Sequence, residues 1–223
     1  MYIVIGASSG IGEKIIKSLS KDDEVLAIYN KKKPQINFKP SKKIFFQKIN
    51  FLKTNNYEKI FSKYKKKLKK ITCINLAAIT LDKMLPNVSE NELKKVFYVN
   101  IFSNILISRS LVQYMIQEKW GRFIHFSSTK ALKGDVGISI YSSSKSSLIG
   151  FSNSLSKEYG RYNITSNIVS LGYFDSPLWN RLKNKKKQEL LKEVPLSKTG
   201  KVNDITKTIK FIKSTNYLNG ATI

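Results

Sequence analysis

Tyr141 and Lys145 stand four residues apart in the stretch Ser128 to Lys145, S-T-K-A-L-K-G-D-V-G-I-S-I-Y-S-S-S-K. On a helix that begins near Tyr141, their side chains lie on one face, one turn apart. An ammonium beside a phenol favours the phenolate, so the pair predicts a lowered tyrosine pKa. A phenol poised toward neutral pH can give a proton to a carbonyl oxygen or take one from an alcohol. Ser128 follows an apolar run, Phe123 to Phe126, that reads as a buried strand. A hydroxyl at that strand's carboxyl end sits on the rim where open α/β sheets bind ligands. In a chain so rich in lysine, Y-x-x-x-K alone also fits a solvated helix face. The chemistry therefore depends on what else reaches that rim.

The preceding and following elements decide this. Residues 2–5, Tyr-Ile-Val-Ile, form a continuous apolar run suited to a strand buried on both faces. Gly6-Ala-Ser-Ser-Gly10-Ile-Gly12 follows, and then a helix with Ile11, Ile15, Ile16 and Leu19 on one side. Strand, glycine loop and helix are the context of a dinucleotide fingerprint. Gly6 permits a tight turn, while Gly10 and Gly12 allow backbone and helix to approach a pyrophosphate. A second strand spans 24–29. At its end, where an acidic residue would hold ribose hydroxyls and repel a 2′-phosphate, stand Tyr29 and Asn30, with Lys31 beside them. This favours NADP(H) over NAD(H).

A third strand is expected over 43–49, with Asn50 and Phe51 at its end. A helix over 55–69 directs Tyr57, Ile60, Phe61, Tyr64 and Leu68 inward. The fourth strand, 71–76, leads into Ala77-Ala78, where small side chains would let a nicotinamide ribose lie against the backbone. Ser89 and Glu92 form a capping box for the next helix. That region continues through Asn100 to about Lys119, and Trp120-Gly121 breaks it. The fifth strand is 123–127. Its His125, the only histidine, reads as packed core. The helix from Tyr141 turns Leu148, Phe151, Leu155 and Tyr159 inward. A sixth strand, 164–169, opens into the loop 170–177. A lysine-rich segment to Glu193 then reads as a lid over the substrate. A last helix begins at Asn203-Asp204, and the chain ends at Ile223. Strands alternating with helices imply a parallel sheet covered on both faces. The reading is α/β: residues 1–223 as one doubly wound domain around that sheet.

The 223 residues can bury a sizeable core, and 41% apolar content is that of a globular protein. No apolar run approaches the ~18 residues of a membrane span. The first strand begins at Tyr2, which leaves no room for a leader peptide. The single cysteine, Cys73, allows no internal disulfide and falls in a buried strand. No metal-ligating cluster is expected. These points place the protein in the cytoplasm. The formal charge is +25, yet only four of 40 basic residues are arginine. Nucleic-acid recognition favours the arginine fork, so the lysine runs at 31–33, 63–70 and 183–187 read as solvated faces. A field this positive still attracts anionic partners such as phosphorylated cofactors or acidic carrier proteins.

Together the motifs resemble the short-chain dehydrogenase/reductase family over nearly the whole chain, most closely its 3-oxoacyl-(acyl-carrier-protein) reductase branch. The carrying residues are G-A-S-S-G-I-G at 6–12, N-L-A-A at 75–78, V-N at 99–100, S-S at 127–128 and Y-S-S-S-K at 141–145. L-I-G-F-S-N-S-L at 148–155, N-I-V-S-L-G-Y-F at 167–174 and P-L-S-K-T-G at 195–200 complete the set. The resemblance implies a Rossmann-like fold whose last strand stops short here, with Tyr141 as the general acid/base and Lys145 lowering its pKa and holding the nicotinamide ribose. Ser128 would polarise the substrate carbonyl, and Asn100 would hold a water that relays protons to Lys145.

The same resemblance assigns cofactor contacts. Gly6, Ser8, Ser9, Gly10, Ile11 and Gly12 would take the pyrophosphate side. Asn30 and Lys31 would face the adenosine ribose, and Asn50 and Phe51 the adenine. Asn75, Leu76 and Ala77 would pass the nicotinamide ribose, and Gly172, Phe174 and Ser176 the carboxamide. Relative to the family pattern, Ile5 replaces a threonine and Asn50 an aspartate. Leu76 and Ala78 replace an asparagine and a glycine, Leu171 replaces a proline, and Ser176 a threonine. The implied activity is NADP(H)-dependent reduction of a carbonyl, such as a 3-oxoacyl thioester on a small molecule or carrier, by a homo-oligomer (a dimer or tetramer). Two other readings fit the same residues: reduction of a sugar or other small polar metabolite, and a non-catalytic cofactor-binding protein.

Overall fold

The apolar run at the start of the chain is buried at every position and lies at the centre of a sheet. A computed structural model describes residues 1–54 and 56–223, and the backbone alone of Leu178. Among these residues the strands are β1 (Tyr2–Ile5), β2 (Val25–Tyr29), β3 (Ile44–Lys48), β4 (Ile71–Asn75), β5 (Gly121–Ser128) and β6 (Ile164–Leu171). All pairings are parallel, in the order β3-β2-β1-β4-β5-β6. β1 pairs with β2 on one side and β4 on the other, so the connections reverse direction at the carboxyl ends of β1 and β4. That reversal opens the crevice in which such sheets bind ligands.

Side-chain alternation along β1 supplies both cores. Ile3 and Ile5 face one layer with α2 (Tyr57–Ser62) and α4 (Ser103–Gln117) through Tyr57, Phe61, Ile107 and Leu111. Tyr2 and Val4 face the other, with Ile15, Ile16 and Leu19 of α1 (Gly10–Leu19) and Ile205, Ile209 and Ile212 of α9 (Val202–Ser214). The doubly wound expectation holds. After β6 the chain returns to pair residues 221–223 alongside it, with Ile168 N–H donating to Ala221 O at 2.8 Å and Ile223 N–H to Ile168 O at 3.0 Å.

Three local differences from the sequence reading have physical causes. The helix expected over 55–69 is α2 followed by a single 3-10 turn, Lys65–Lys67. Asn55, its expected first residue, lies outside the described residues. Lysines at 63, 65, 66, 67, 69 and 70 have no acidic i,i+4 partner to support a helix. The chain must also turn into β4, and Lys70 takes φ +43 there.

The expected long segment after Ser89 is divided. The Ser89–Glu92 capping box starts α3 (Glu90–Phe97), as read. A π-helical turn, Tyr98–Phe102, then precedes α4. β5 begins at Gly121 rather than Phe123, because Gly121 pairs with both Ile71 and Ile164. A side chain there would strike Met115 of α4.

The other elements are α5 (Lys130–Lys133), α6 (Ser139–Tyr159), α7 (Pro177–Asn180) and α8 (Asn184–Lys192). The last two form the segment read as a lid. No helix among the described residues is long and apolar enough to cross a membrane.

Candidate active site

Helix α6 is seated on the sheet by its small side chains. Ser144, Ser152 and Ser156 are buried between larger residues on its inner face. The Ser152 and Ser166 hydroxyls share a hydrogen bond of 2.8 Å, and Ser127 Oγ donates to Lys145 O at 3.0 Å. With the helix so close to β5 and β6, Lys145 is buried and its Nζ donates to Phe126 O at 2.7 Å. Tyr141, one turn earlier, reaches the cavity at the carboxyl edge of the sheet. α6 starts at Ser139, two residues before Tyr141, so the pair lies within one continuous helix.

A cavity of about 500 Å³ runs along this edge. Ser128, Tyr141 and Lys145 line it together with Ser9, Gly10 and Ile11 of the glycine loop. Leu76, Gly172, Phe174 and Ser176 complete the part of the wall that the sequence indicated. The sequence reading did not single out Thr80, Asp82, Tyr173 or Trp179, which also line it. Tyr173 and Trp179 pack with ring centroids 5.5 Å apart. Two aromatic residues close together in the loop and helix after β6 were the available signal.

The electrostatics differ from the expectation for the phenol. Burial raises the Tyr141 pKa, a hydrogen bond with Ser128 pulls it down, and the Asp82 charge raises it further, leaving it above the ordinary tyrosine value. Lys145 donates its hydrogen bond to Phe126 O rather than to the phenol. Burial lowers the Lys145 pKa to about 8. The expected lowering of the phenol pKa is therefore not found, and the net shift is upward. Burial is the largest cause at both groups, raising the phenol and lowering the amine.

Asn100 is fully buried in the π-helical turn and stands behind the cavity wall. Its Oδ1 accepts from Ile79 N at 2.8 Å. Its Nδ2 donates to Ile79 O at 3.0 Å and to Ser144 Oγ at 2.9 Å. It thus ties the loop after β4 to the helix that carries Tyr141 and Lys145.

The glycine loop closes on itself. Gly6 has φ +86, and a Cβ there would lie 2.8 Å from Ala77 N. Ser9 caps α1 by accepting from Gly12 N at 3.0 Å, and it donates to Gly6 O at 2.9 Å. Ser8 is half-buried, and Gly12 is buried beneath the loop. Asn75 Oδ1 accepts from Ala77 N at 3.2 Å, while its buried Nδ2 has no partner among the described residues. Asn30 is half-buried after β2, and Lys31 is exposed. Asn50 Oδ1 accepts from Leu52 N at 3.2 Å, and Phe51 is buried in the core. These four lie outside the cavity wall, along the edge that β2 and β3 form. His125 is buried, as read.

The residues present fit a dinucleotide. The loop and the start of α1 offer main-chain N–H groups at one end of the cavity, and the tyrosine and serine hydroxyls stand at the other.

A parallel sheet in this order, with a glycine loop at its switch point and a tyrosine–lysine pair on the same rim, defines a Rossmann-like protein. The family model described as short chain dehydrogenase matches residues 1–187. The chain belongs to that family and is an oxidoreductase. It is 30% identical to the 3-oxoacyl-(acyl-carrier-protein) reductase FabG of Rickettsia conorii, over 99% of this chain and 92% of the relative. It is 27% identical to the protein of the same name from Aquifex aeolicus, over 99% of this chain and 93% of the relative. To carbonyl reductase family member 4 of Xenopus laevis it is 28% identical, over 97% and 92%.

Proposed function

We propose that the protein is an NADP(H)-dependent carbonyl reductase and that its substrate is a 3-oxoacyl thioester. The observation that supports this most directly is the sharing of one cavity by Ser128, Tyr141, Lys145 and the Ser9–Ile11 loop. The relatives' names support the substrate class. A bound dihydronicotinamide supplies hydride to a carbonyl carbon. Tyr141 gives its proton to the carbonyl oxygen, and its raised pKa keeps the phenol in the protonated form that reduction needs. Ser128 donates a hydrogen bond to the same oxygen and stabilises the charge that develops on it. Lys145, charged below about pH 8, stabilises the phenolate that proton transfer leaves. Asn100 holds the wall behind them.

Preference for NADP(H) is supported by Asn30 in place of an acid, with Lys31 and Lys32 exposed beside it. Lys33 instead lies over the Phe46 ring, 4.4 Å from its centroid. Assembly into a dimer or tetramer is supported by Phe102 and Ile105, exposed on one side of the π turn and α4. Ile105 lines a groove together with Val112, Phe151, Leu155 and Tyr159. Thr80 and Asp82 in the cavity wall favour a second reading, in which the substrate is a keto-sugar.

Fluorescence titration with NADPH and NADH tests the cofactor, and Lys31→Glu should cut the preference for NADPH by about tenfold. A panel of acetoacetyl thioesters and keto-sugars then separates the substrates. Tyr141→Phe should lower turnover by at least about a hundredfold while NADPH still binds. An unchanged rate removes Tyr141 as the acid.

A further inference from the structure

Among the buried polar residues of α4 and β5, one pair joins the two elements directly. Asn104 and His125 are each 1% exposed and lie 2.9 Å apart, Oδ1 to Nδ1. Asn104 Nδ2 donates to the main-chain oxygen of Asn100 at 3.2 Å. That donation fixes the orientation of the Asn104 amide, so its Oδ1 must face His125. An amide oxygen only accepts, so His125 carries its proton on Nδ1, and Nε2 presents a lone pair. Nε2 is buried and has no partner among the described residues.

The histidine ring cannot easily turn to satisfy that atom. Phe123 stacks on it with centroids 6.0 Å apart, and Phe151 meets it edge-on at 5.4 Å. Burial, and then the Lys145 charge, lower its pKa to about 3, so the imidazole is neutral across the working range.

This arrangement costs stability. A buried acceptor without a partner is unfavourable, and an apolar side chain would fill the space without that cost. What the pair provides is a fixed direction. The hydrogen bonds run from the rigid ring to Asn104 and on to Asn100 O, inside a turn whose main-chain ladder is already irregular. There Ser103 N–H reaches back to Tyr98 O. Asn100 in turn holds both main-chain groups of Ile79 and touches Ser144, next to Lys145.

We infer that Asn104 and His125 are positioning residues that fix Asn100 for the reduction. The kinetic part of this inference rests on the reading of the site given above. Neither residue touches the cavity. Each acts through Asn100.

His125→Leu and Asn104→Leu remove the chain of hydrogen bonds. His125→Asn keeps a donor, since its Nδ2 occupies the place of Nδ1. Amide hydrogen exchange in the unliganded protein supplies a readout that does not depend on turnover. The Ile79 N–H, held by Asn100, should exchange about tenfold faster in both leucine variants while Ile3 and Val4 of β1 are unchanged. Turnover should fall about tenfold with KM for NADPH within about twofold, and His125→Asn should restore both readouts to near wild type. Equal acceleration at Ile79 and β1 would overturn the proposal, as would His125→Asn behaving like His125→Leu. If the variants fail to fold, ¹⁵N shifts of the wild-type imidazole still decide. The Nδ1–H tautomer is expected from pH 5 to 8, and the Nε2–H tautomer overturns the assignment. A wild-type protein that binds NADPH but reduces no carbonyl would refute the proposed function, and the exchange pattern would still judge the positioning.

Discussion

Lys145 Nζ donates to the main-chain oxygen of Phe126 at 2.7 Å, tying the amine to the strand that ends in Ser128. The ammonium is thus fixed relative to the serine by backbone, while the phenol of Tyr141 approaches from the helix. With a pKa lowered to about 8 by burial, Lys145 loses its charge before Tyr141, whose pKa is raised, loses its proton. Carbonyl reduction should therefore decline as pH rises through about 8. A pH profile of kcat/KM for the free enzyme checks this. An alkaline limb lying above pH 10 would show that Tyr141 is the titrating group.

The same group makes stability depend on pH. An unfolded lysine keeps its proton to about 10.5, whereas folded Lys145 releases it near 8. Between those values the unfolded chain binds more protons, so stability rises with pH across the window. The cost of burying the charge is present in full below pH 8. In urea titrations at pH 7 and pH 10, wild type should gain on Lys145→Met by on the order of 2 kcal/mol at the higher pH. A constant difference between the two proteins would show that the amine is not desolvated in solution.

Two glycines of the same loop should respond differently to alanine. At Gly6 the new Cβ meets the Ala77 backbone at 2.8 Å, and φ is +86. Gly6 N–H is held by Ile28 O and Ala77 N–H by Asn75 Oδ1, so neither backbone can yield and Gly6→Ala should cost about 2 kcal/mol or more. At Gly10 the clash is with the Pro177 ring, at the start of the lid. Gly10→Ala should displace that segment and leave the urea midpoint nearly unchanged. Trp179, two residues beyond the proline, reports the displacement by its fluorescence.

The segment read as a lid is tied down at its far end. Lys130 Nζ lies 2.8 Å from Glu193 Oε2 and 2.6 Å from Asp135 Oδ2, with its side chain 19% exposed. Tyr173 of the cavity wall donates to the same Glu193 oxygen at 3.4 Å. Burial lowers the Lys130 pKa, but the two carboxylates and Tyr173 outweigh it, and the net shift is upward. Lys130→Met should make residues 184–192 several times more sensitive to limited proteolysis and raise KM for the carbonyl substrate. The thermal midpoint should move by no more than about 3 °C. Unchanged proteolysis would mean that the lid is held by its apolar contacts alone.

Much of the architecture could be read locally. Residues 2–5 had to be a strand buried on both faces, Gly6 had to open a tight turn, and Ser89 with Glu92 had to start a helix. Each of these rests on neighbours in sequence. The end of α2 was harder, because it depends on where the chain must turn to enter β4. His125 could be read as buried, but its partner Asn104 is 21 residues away and nothing local joins them.

The sequence by itself determined the order of the elements, the parallel sheet, and the residue types available at its carboxyl edge. These follow from periodicity, turn chemistry and spacing, which act over a few residues. Only the tertiary structure decided that Lys145 bonds to Phe126, that the Tyr141 pKa rises, and that Tyr173, Trp179 and Asp82 share the cavity with them. Burial and electrostatic coupling depend on separation in space, and the chain sets those separations only when helix and sheet pack together.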